Sequence, residues 1–194
     1  MSDWTATALV SALMIVLVTI PVLTLRFSLA RTGEVRTEIE AWAERRGLVR
    51  SQASALPPAL ARAYPSALSF DWRGGALAVL AMPYRGAITT TIWARPARGP
   101  ACGGVHARRR GLATSLPEGE ARTSGDPPFD AAFEVRGTSA AEVGAVLDAD
   151  LRRTLLSTPE LETFEWDGAR WSITLRGKSW ERGRALVERV ASKA

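Results

Sequence analysis

Cys102 and His106 stand four residues apart, a spacing that can supply two metal ligands or a thiol–imidazole pair for nucleophilic catalysis. Neither chemistry finds the rest of what it needs. A structural zinc takes four protein ligands, and this chain holds one cysteine and one histidine. A Cys–His nucleophile needs an acid to orient its imidazole, and no Asp or Glu occurs between Asp71 and Glu118. Asp126, Asp130 and Glu134 form a second constellation, carboxylates that could hold a cation or work as an acid/base pair. Alternation along an extended segment places Phe129, Ala131, Phe133 and Val135 on one face, with Asp130 and Glu134 on the other. Asp126 then closes a turn before Pro127, and the acids read as the solvated side of a strand. No P-loop, dinucleotide fingerprint or G-x-S-x-G is present. These residues imply no catalytic residue, no cofactor and no metal. An enzyme of unrecognised class ranks third among the functions considered.

The acid-free window is the stronger chemical signal. It carries seven arginines, at 73, 85, 95, 98, 108, 109 and 110, in a chain whose net charge is +5. Arg95, Arg98, Arg108, Arg109 and Arg110, with His106, are the candidate contacts to an anionic lipid surface or an acidic protein partner, each basic residue worth about 1 kcal/mol near an anionic leaflet. The same arginines with Trp93 for stacking would suit nucleic acid, which a membrane tether makes unlikely. Arginine outnumbers lysine throughout, Lys178 and Lys193 being the two lysines, as high-GC coding would produce.

That tether is the stretch from Trp4 to Leu25, twenty-two residues without a charge. As a helix it measures about 33 Å, enough for a hydrocarbon core of roughly 30 Å. It is too long for a signal-peptide core, and Met1-Ser2-Asp3 lacks the basic n-region such a signal carries. Residues 1–27 are therefore expected to form one transmembrane anchor, with residues 4–25 in the bilayer. Arg26, Arg31 and Arg36 follow it, and basic flanks stay on the cytoplasmic side. The expected location is a bacterial inner membrane, single-pass, N-terminus out, with the C-terminal domain in the cytoplasm. One cysteine excludes an internal disulfide and fits a reducing compartment.

Residues 28–50 read as a juxtamembrane amphipathic helix with Val35, Ile39, Trp42 and Arg46 on its stripe. Trp42 is the candidate packing or partner contact, and the helix is either a stalk or a cover for the domain. Residues 51–67, with Pro57, Pro58 and Pro65, form a Pro/Ala-rich connector. Residues 68–194 read as a single α+β domain. It opens with an antiparallel meander, in which Phe70 and Trp72 alternate before Arg73-Gly74-Gly75, Leu77 and Val79 alternate after it, and residues 87–94 make a third strand. Residues 95–125 read as a basic loop, with VHARRR as a possible solvent-facing strand. A β-α-β-β-α part then closes the domain. Ser139 and Glu142 form a capping box for a helix whose stripe is Val143, Val146, Leu147, Leu151 and Leu155. Asp167-Gly168 makes a two-residue hairpin turn that sets Phe164 against Trp171 and Glu165 against Arg170. A last helix, 179–192, presents Trp180, Gly183, Val187 and Val190 to the core. Helices are expected on one face of the sheet.

The run Gly125, Asp126, Phe129, Asp130, Phe133, Val135, followed by a capped helix and a DG hairpin, resembles uncharacterised bacterial membrane proteins. These are domain-of-unknown-function families with a G-D-x-x-F-D-x-x-F-x-V box, and the likeness covers residues 124–176. It implies a membrane-anchored cytosolic α+β domain without an assigned activity. Together these readings describe a membrane-anchored, non-catalytic binding module. Its partners would be the bilayer and a protein. The alternative is an anionic-lipid module acting through the arginines of 95–110.

Overall fold

The computed structural model describes residues 33–52, 55–72, 75–84, 87–97, 103–112 and 120–191. The 4–25 stretch, Arg98 and Cys102 lie outside them. Among the described residues no helix is long and apolar enough to cross a membrane.

Eight antiparallel strands form one sheet in the order β1-β2-β3-β8-β7-β4-β6-β5. The expected meander is present as β1 (Leu68–Trp72), β2 (Gly75–Tyr84) and β3 (Ala87–Arg95). Its Leu68↔Val79 and Ile92↔Val79 registers keep Leu77, Val79 and Ile92 on one face, all fully buried. β4 (Val105–Arg109), β5 (Ala121–Arg122) and β6 (Phe133–Gly137) make the far side of the sheet. Between the two halves sits the C-terminal hairpin, β7 (Leu161–Trp166) and β8 (Trp171–Arg176), with β8 on β3 and β7 on β4.

Four local expectations change. VHARRR is an interior strand between β7 and β6, where both its backbone edges are paired, and is no solvent-facing edge. The run 127–136 is divided into α3 (Pro127–Ala132) and β6. Phe129 and Phe133 are spaced i, i+4, which suits a helical turn as well as a strand, and their rings stack at 4.7 Å. Asp126 decides between the two by capping the helix, accepting from the Phe129 N–H at 3.3 Å ahead of two prolines. The single helix expected after Ser139 is two, α4 (Ala140–Val146) and α5 (Ala149–Leu156). The capping box forms at the first, and Asp148 starts the second by accepting from Leu151 N–H at 2.8 Å. The hairpin loop is four residues, so Trp166 faces Trp171 and Phe164 faces Ile173. The Asp167 carboxylate accepts from the Ala169 and Arg170 N–H groups at 2.9 and 2.8 Å, and Gly168 supplies φ 90°. That Asx-type closure costs the two-residue turn its place.

The first helix, α1 (residues 33–45), packs on its own domain. Val35, Ile39, Trp42 and Ala43 are buried in the main core. Trp42 meets Phe70 edge-on at 6.4 Å and donates its indole N–H to Glu181. Its neighbour on the same face is α6 (Trp180–Ala191), whose Leu186, Val187 and Val190 are buried over β3 and β8. The connector holds α2 (Pro58–Ala63) and departs from the expected single-face arrangement. Its Ala55, Leu56 and Leu60 lie on the opposite face of the sheet, over Ala76, Ala78, Leu80 and Trp93. Residues 49–51 run beside β1, accepting from Asp71 N–H and donating to Ser69 O, and so cover that edge.

Gly183 sets the distance between α6 and the sheet. A Cβ there would stand 2.4 Å from Ile92 Cδ1 and 3.0 Å from Leu175 Cδ1, both on fully buried residues. Gly183→Val is expected to destabilise the protein by about 1–3 kcal/mol through overpacking. Urea unfolding measures this, and pairing Gly183→Ala with Ile92→Val should recover most of what Gly183→Ala alone loses.

Candidate functional site

The sheet has a second face that the described helices leave open on the β8–β7–β4–β6 side. Register across the strands sets out two transverse rows there. One runs Arg136, His106, Glu165, Ser172, Trp93, and the next Glu134, Arg108, Thr163, Thr174, Thr91. Period-two alternation forces this: Val105 and Ala107 face the core, so His106 and Arg108 face away. In the second row Glu134 is bracketed by Arg108 at 2.9 Å and Arg136 at 3.2 Å. Desolvation on the sheet works to raise the Glu134 carboxyl; the hydrogen bonds and charges of Arg136 and Arg108 outweigh it and hold the group below the usual range. Thr91 and Thr174 hydroxyls meet at 3.2 Å.

The first row opens into a cleft of about 560 Å³ at the hairpin end of β7, beyond β4 and β6. His106, Glu120, Arg122, Arg136, Glu165 and Asp167 line it. Arg122 is paired with Glu120, and Asp167 holds Arg170 at 2.7 Å. His106 Nδ1 is 3.8 Å from Glu165, its side chain is 12% exposed, and neither ring nitrogen has a hydrogen-bond partner among the described residues. Behind the cleft, Glu142 accepts from the Gly103 N–H at 2.9 Å. That bond, with help from the Thr138 and Ser139 hydroxyls and against desolvation, keeps the Glu142 carboxyl below its ordinary value. It also fixes the chain where it enters β4. Among the described residues no cluster of three or more metal-ligating side chains occurs.

Of the described residues singled out in advance as contacts, His106 lines this cleft, and Arg95, Arg108, Arg109, Arg110 and Trp42 are not among its lining residues. Arg109 donates to the carbonyls of Leu161 and Thr158 at 2.8 and 2.9 Å and lies over the Phe133 ring at 4.8 Å. Arg108 belongs to the Glu134 pair, and Arg110, though exposed, donates to Asp130 O at 2.9 Å. Arg95 is exposed at the other end of the sheet, three strand positions from β4, so it stands on the order of 20 Å from Arg109 at standard strand spacings. Among the described arginines of the basic window, Arg95 thus stands apart from Arg108, Arg109 and Arg110. Trp93 is 8% exposed beneath the connector and Trp42 is 4% exposed beneath α6, so neither offers a free ring. Arg122, Arg136 and Glu165 were not legible as a group, because they come from three strands whose adjacency depends on long-range register. The sequence points to His106 through its spacing from Cys102 and its place beside the arginines.

No family model matches the chain. No curated protein matches it either. Among solved structures, the crystal structure of the mycobacterial trehalose monomycolate transport factor A, TtfA, is similar, with a TM-score of 0.58. The superposition covers 82% of this chain and 93% of that one at 14% sequence identity. The likeness is one of fold.

Two outcomes follow from the placement of these charges. Arg109→Met keeps the stem on Phe133 and loses both carbonyl contacts, so stability should fall by roughly 1.5–3 kcal/mol, while Arg110→Ala stays within about 0.5 kcal/mol of wild type. Denaturant midpoints distinguish them. For Glu134, a depressed folded-state pKa means its contribution is present above the unfolded carboxylate value of about 4.3 and is lost as pH falls through the lower folded value. Glu134→Gln should therefore flatten the fall in stability below about pH 4.3, read from thermal unfolding across an acid series.

Proposed function

We propose that this protein is a single-pass membrane-anchored, non-catalytic binding module whose α+β domain lies on the cytoplasmic side of a bacterial inner membrane. The observation that carries the reading is the union of the uncharged stretch 4–25 with a helix built into the domain core. Seven residues, 26–32, separate that stretch from α1, and at about 3.5 Å each they reach at most roughly 25 Å. The start of α1 lies against Leu68 and Ala81, with Glu38 bound to Lys178 at 2.6 Å. That end of the sheet is opposite the Trp166–Trp171 end where the cleft opens. The anchor thus holds the domain close to the bilayer by one end and leaves the cleft at the other.

The arginine flanks at 26, 31 and 36 favour a cytoplasmic domain. The structural neighbour is a transport factor, which agrees with a role in binding rather than turnover. Of the arginines that the lipid reading would use, Arg108 pairs with Glu134 and Arg109 donates to two carbonyls, while Arg95 and Arg110 are exposed.

A reporter pair fused after Ala194, one active only in the cytoplasm and one only outside it, should give the cytoplasmic signal. An external signal would overturn the orientation, and release of the fusion by carbonate washing would overturn the anchor.

A further inference from the structure

We propose that the outer edge of β5 is an interface on which a second copy of this chain pairs, antiparallel and centred on Ala121. This goes beyond the binding reading above and rests on its anchor for local concentration. The backbone directions follow from register. Arg110 N–H donates to Ala132 O at 2.9 Å, and the β4–β6 register continues that pairing to Arg108↔Glu134 and His106↔Arg136. In an antiparallel pair, residues that exchange hydrogen bonds alternate with residues that do not. Ala132, Glu134 and Arg136 therefore bond to β4, while Phe133, Val135 and Gly137 turn their backbone groups the other way, toward β5. Val135 meets Arg122, so Arg122 is directed inward and Ala121 outward. β5 ends the sheet, and among the described residues no strand pairs with Ala121 on its outer side. The opposite edge differs, because residues 49–51 cover β1 there. An uncovered edge is a template for another strand.

The side chains select which strand. Glu120 and Arg122 flank Ala121 with opposite sign, lie on one side of the strand and pair with each other. Edge charges of a single sign keep copies of a chain apart. Here a two-fold axis through Ala121 sets Glu120 opposite Arg122 of the second copy, and Arg122 opposite its Glu120. The pair within each copy remains, and four charges of alternating sign share one surface. The Glu120 side chain is 76% exposed and that of Arg122 33%. Ala121 is exposed, with a side chain too small to obstruct a neighbour. The axis stands perpendicular to the sheet, so α1 of both copies lies on the same side and one bilayer can hold both anchors. The contact is small, two backbone hydrogen bonds and the charge set, and confinement to a bilayer supplies the effective concentration it needs.

Cysteine cross-linking of the full chain in membranes tests this. With Cys102→Ser removing the native thiol, Ala121→Cys places two thiols directly opposite each other. Their Cα separation is the roughly 5.5 Å of a hydrogen-bonded pair, which a disulfide spans. Thr123→Cys is also exposed, but in this register it stands about 14 Å from its counterpart, beyond disulfide reach. Mild oxidation should give a disulfide-linked dimer from Ala121→Cys, at a yield roughly tenfold or more above Thr123→Cys. Adding Glu120→Arg alone, or Arg122→Glu alone, should lower that yield severalfold. Co-expressing the two charge variants should restore it, because each copy then supplies the charge the other needs. That rescue separates loss of the interface from misfolding. Chain retained through carbonate washing overturns the proposal if it gives no dimer at 121, equal dimer at 121 and 123, or no rescue. Release of the chain by the wash would overturn the anchor, and the pairing with it.

Discussion

The sheet exists as one object because the last hairpin of the chain is its middle. β8 pairs with β3 of the N-terminal meander, and β7 pairs with β4 of the other half; without β7–β8 the two halves share no strand boundary. The hairpin is correspondingly the most apolar part of the core. Phe164, Trp166, Trp171, Ile173 and Leu175 are all at most 1% exposed, and the Trp166 and Trp171 rings lie 4.3 Å apart. Aromatic cross-strand pairs of this kind are among the stronger sheet contacts. The contacts that join the halves are between residues about eighty and sixty positions apart, as in Thr91↔Thr174 and Ala107↔Phe164, so closing the sheet carries a large chain-entropy cost that only a well-packed centre offsets.

Placing β4 in the interior of that sheet decides the fate of the arginine run. An interior strand exposes no backbone edge, and its outward residues are crowded by neighbours on both sides. Charges there persist only with partners. Arg108 finds Glu134, itself shared with Arg136, and Arg109 finds two carbonyls and the Phe133 ring. Arginine suits this role better than lysine would, because its flat guanidinium can stack and donate in several directions at once. A one-sign stretch in sequence has become a set of mixed-sign contacts in space. The acid that meets Arg108, Glu134, comes from β6, and the carbonyls that Arg109 reaches come from residues 158 and 161, all outside the window in which the excess was counted.

This marks where the sequence was legible. Elements with a local signature were readable: the capping box at Ser139, the meander strands, the amphipathic stripe of α1 and the closing helix. Those signals depend on neighbours within a few residues. Where two local signals competed, the capping side chain decided: Asp126, Asp148 and Asp167 each set a boundary that periodicity alone placed elsewhere. Strand order was not legible, since nothing in β4 states that it pairs with both β6 and β7. The cleft was illegible for the same reason. Its arginines and acids are ordinary surface residues until the register aligns Arg136, His106 and Glu165 in one row.

The helix α1 joins these themes, because the residue that locks it down is bound from the far end of the chain. Trp42 is buried against Phe70 while its indole N–H and the Arg46 guanidinium both reach Glu181 of α6. Lys178, just before α6, takes Glu38. The rim contacts are half-exposed and each contributes little; the apolar stripe beneath them does most of the holding, with Val35, Ile39 and Trp42 all at most 4% exposed. An amphipathic helix next to an apolar stretch would serve equally well as a free stalk if its stripe met lipid or a partner. Here the stripe is already used, by β1 and α6. Any force or orientation imposed on residue 33 is therefore delivered to the sheet itself, and the face that remains for a ligand is the one that α1 and α6 do not cover.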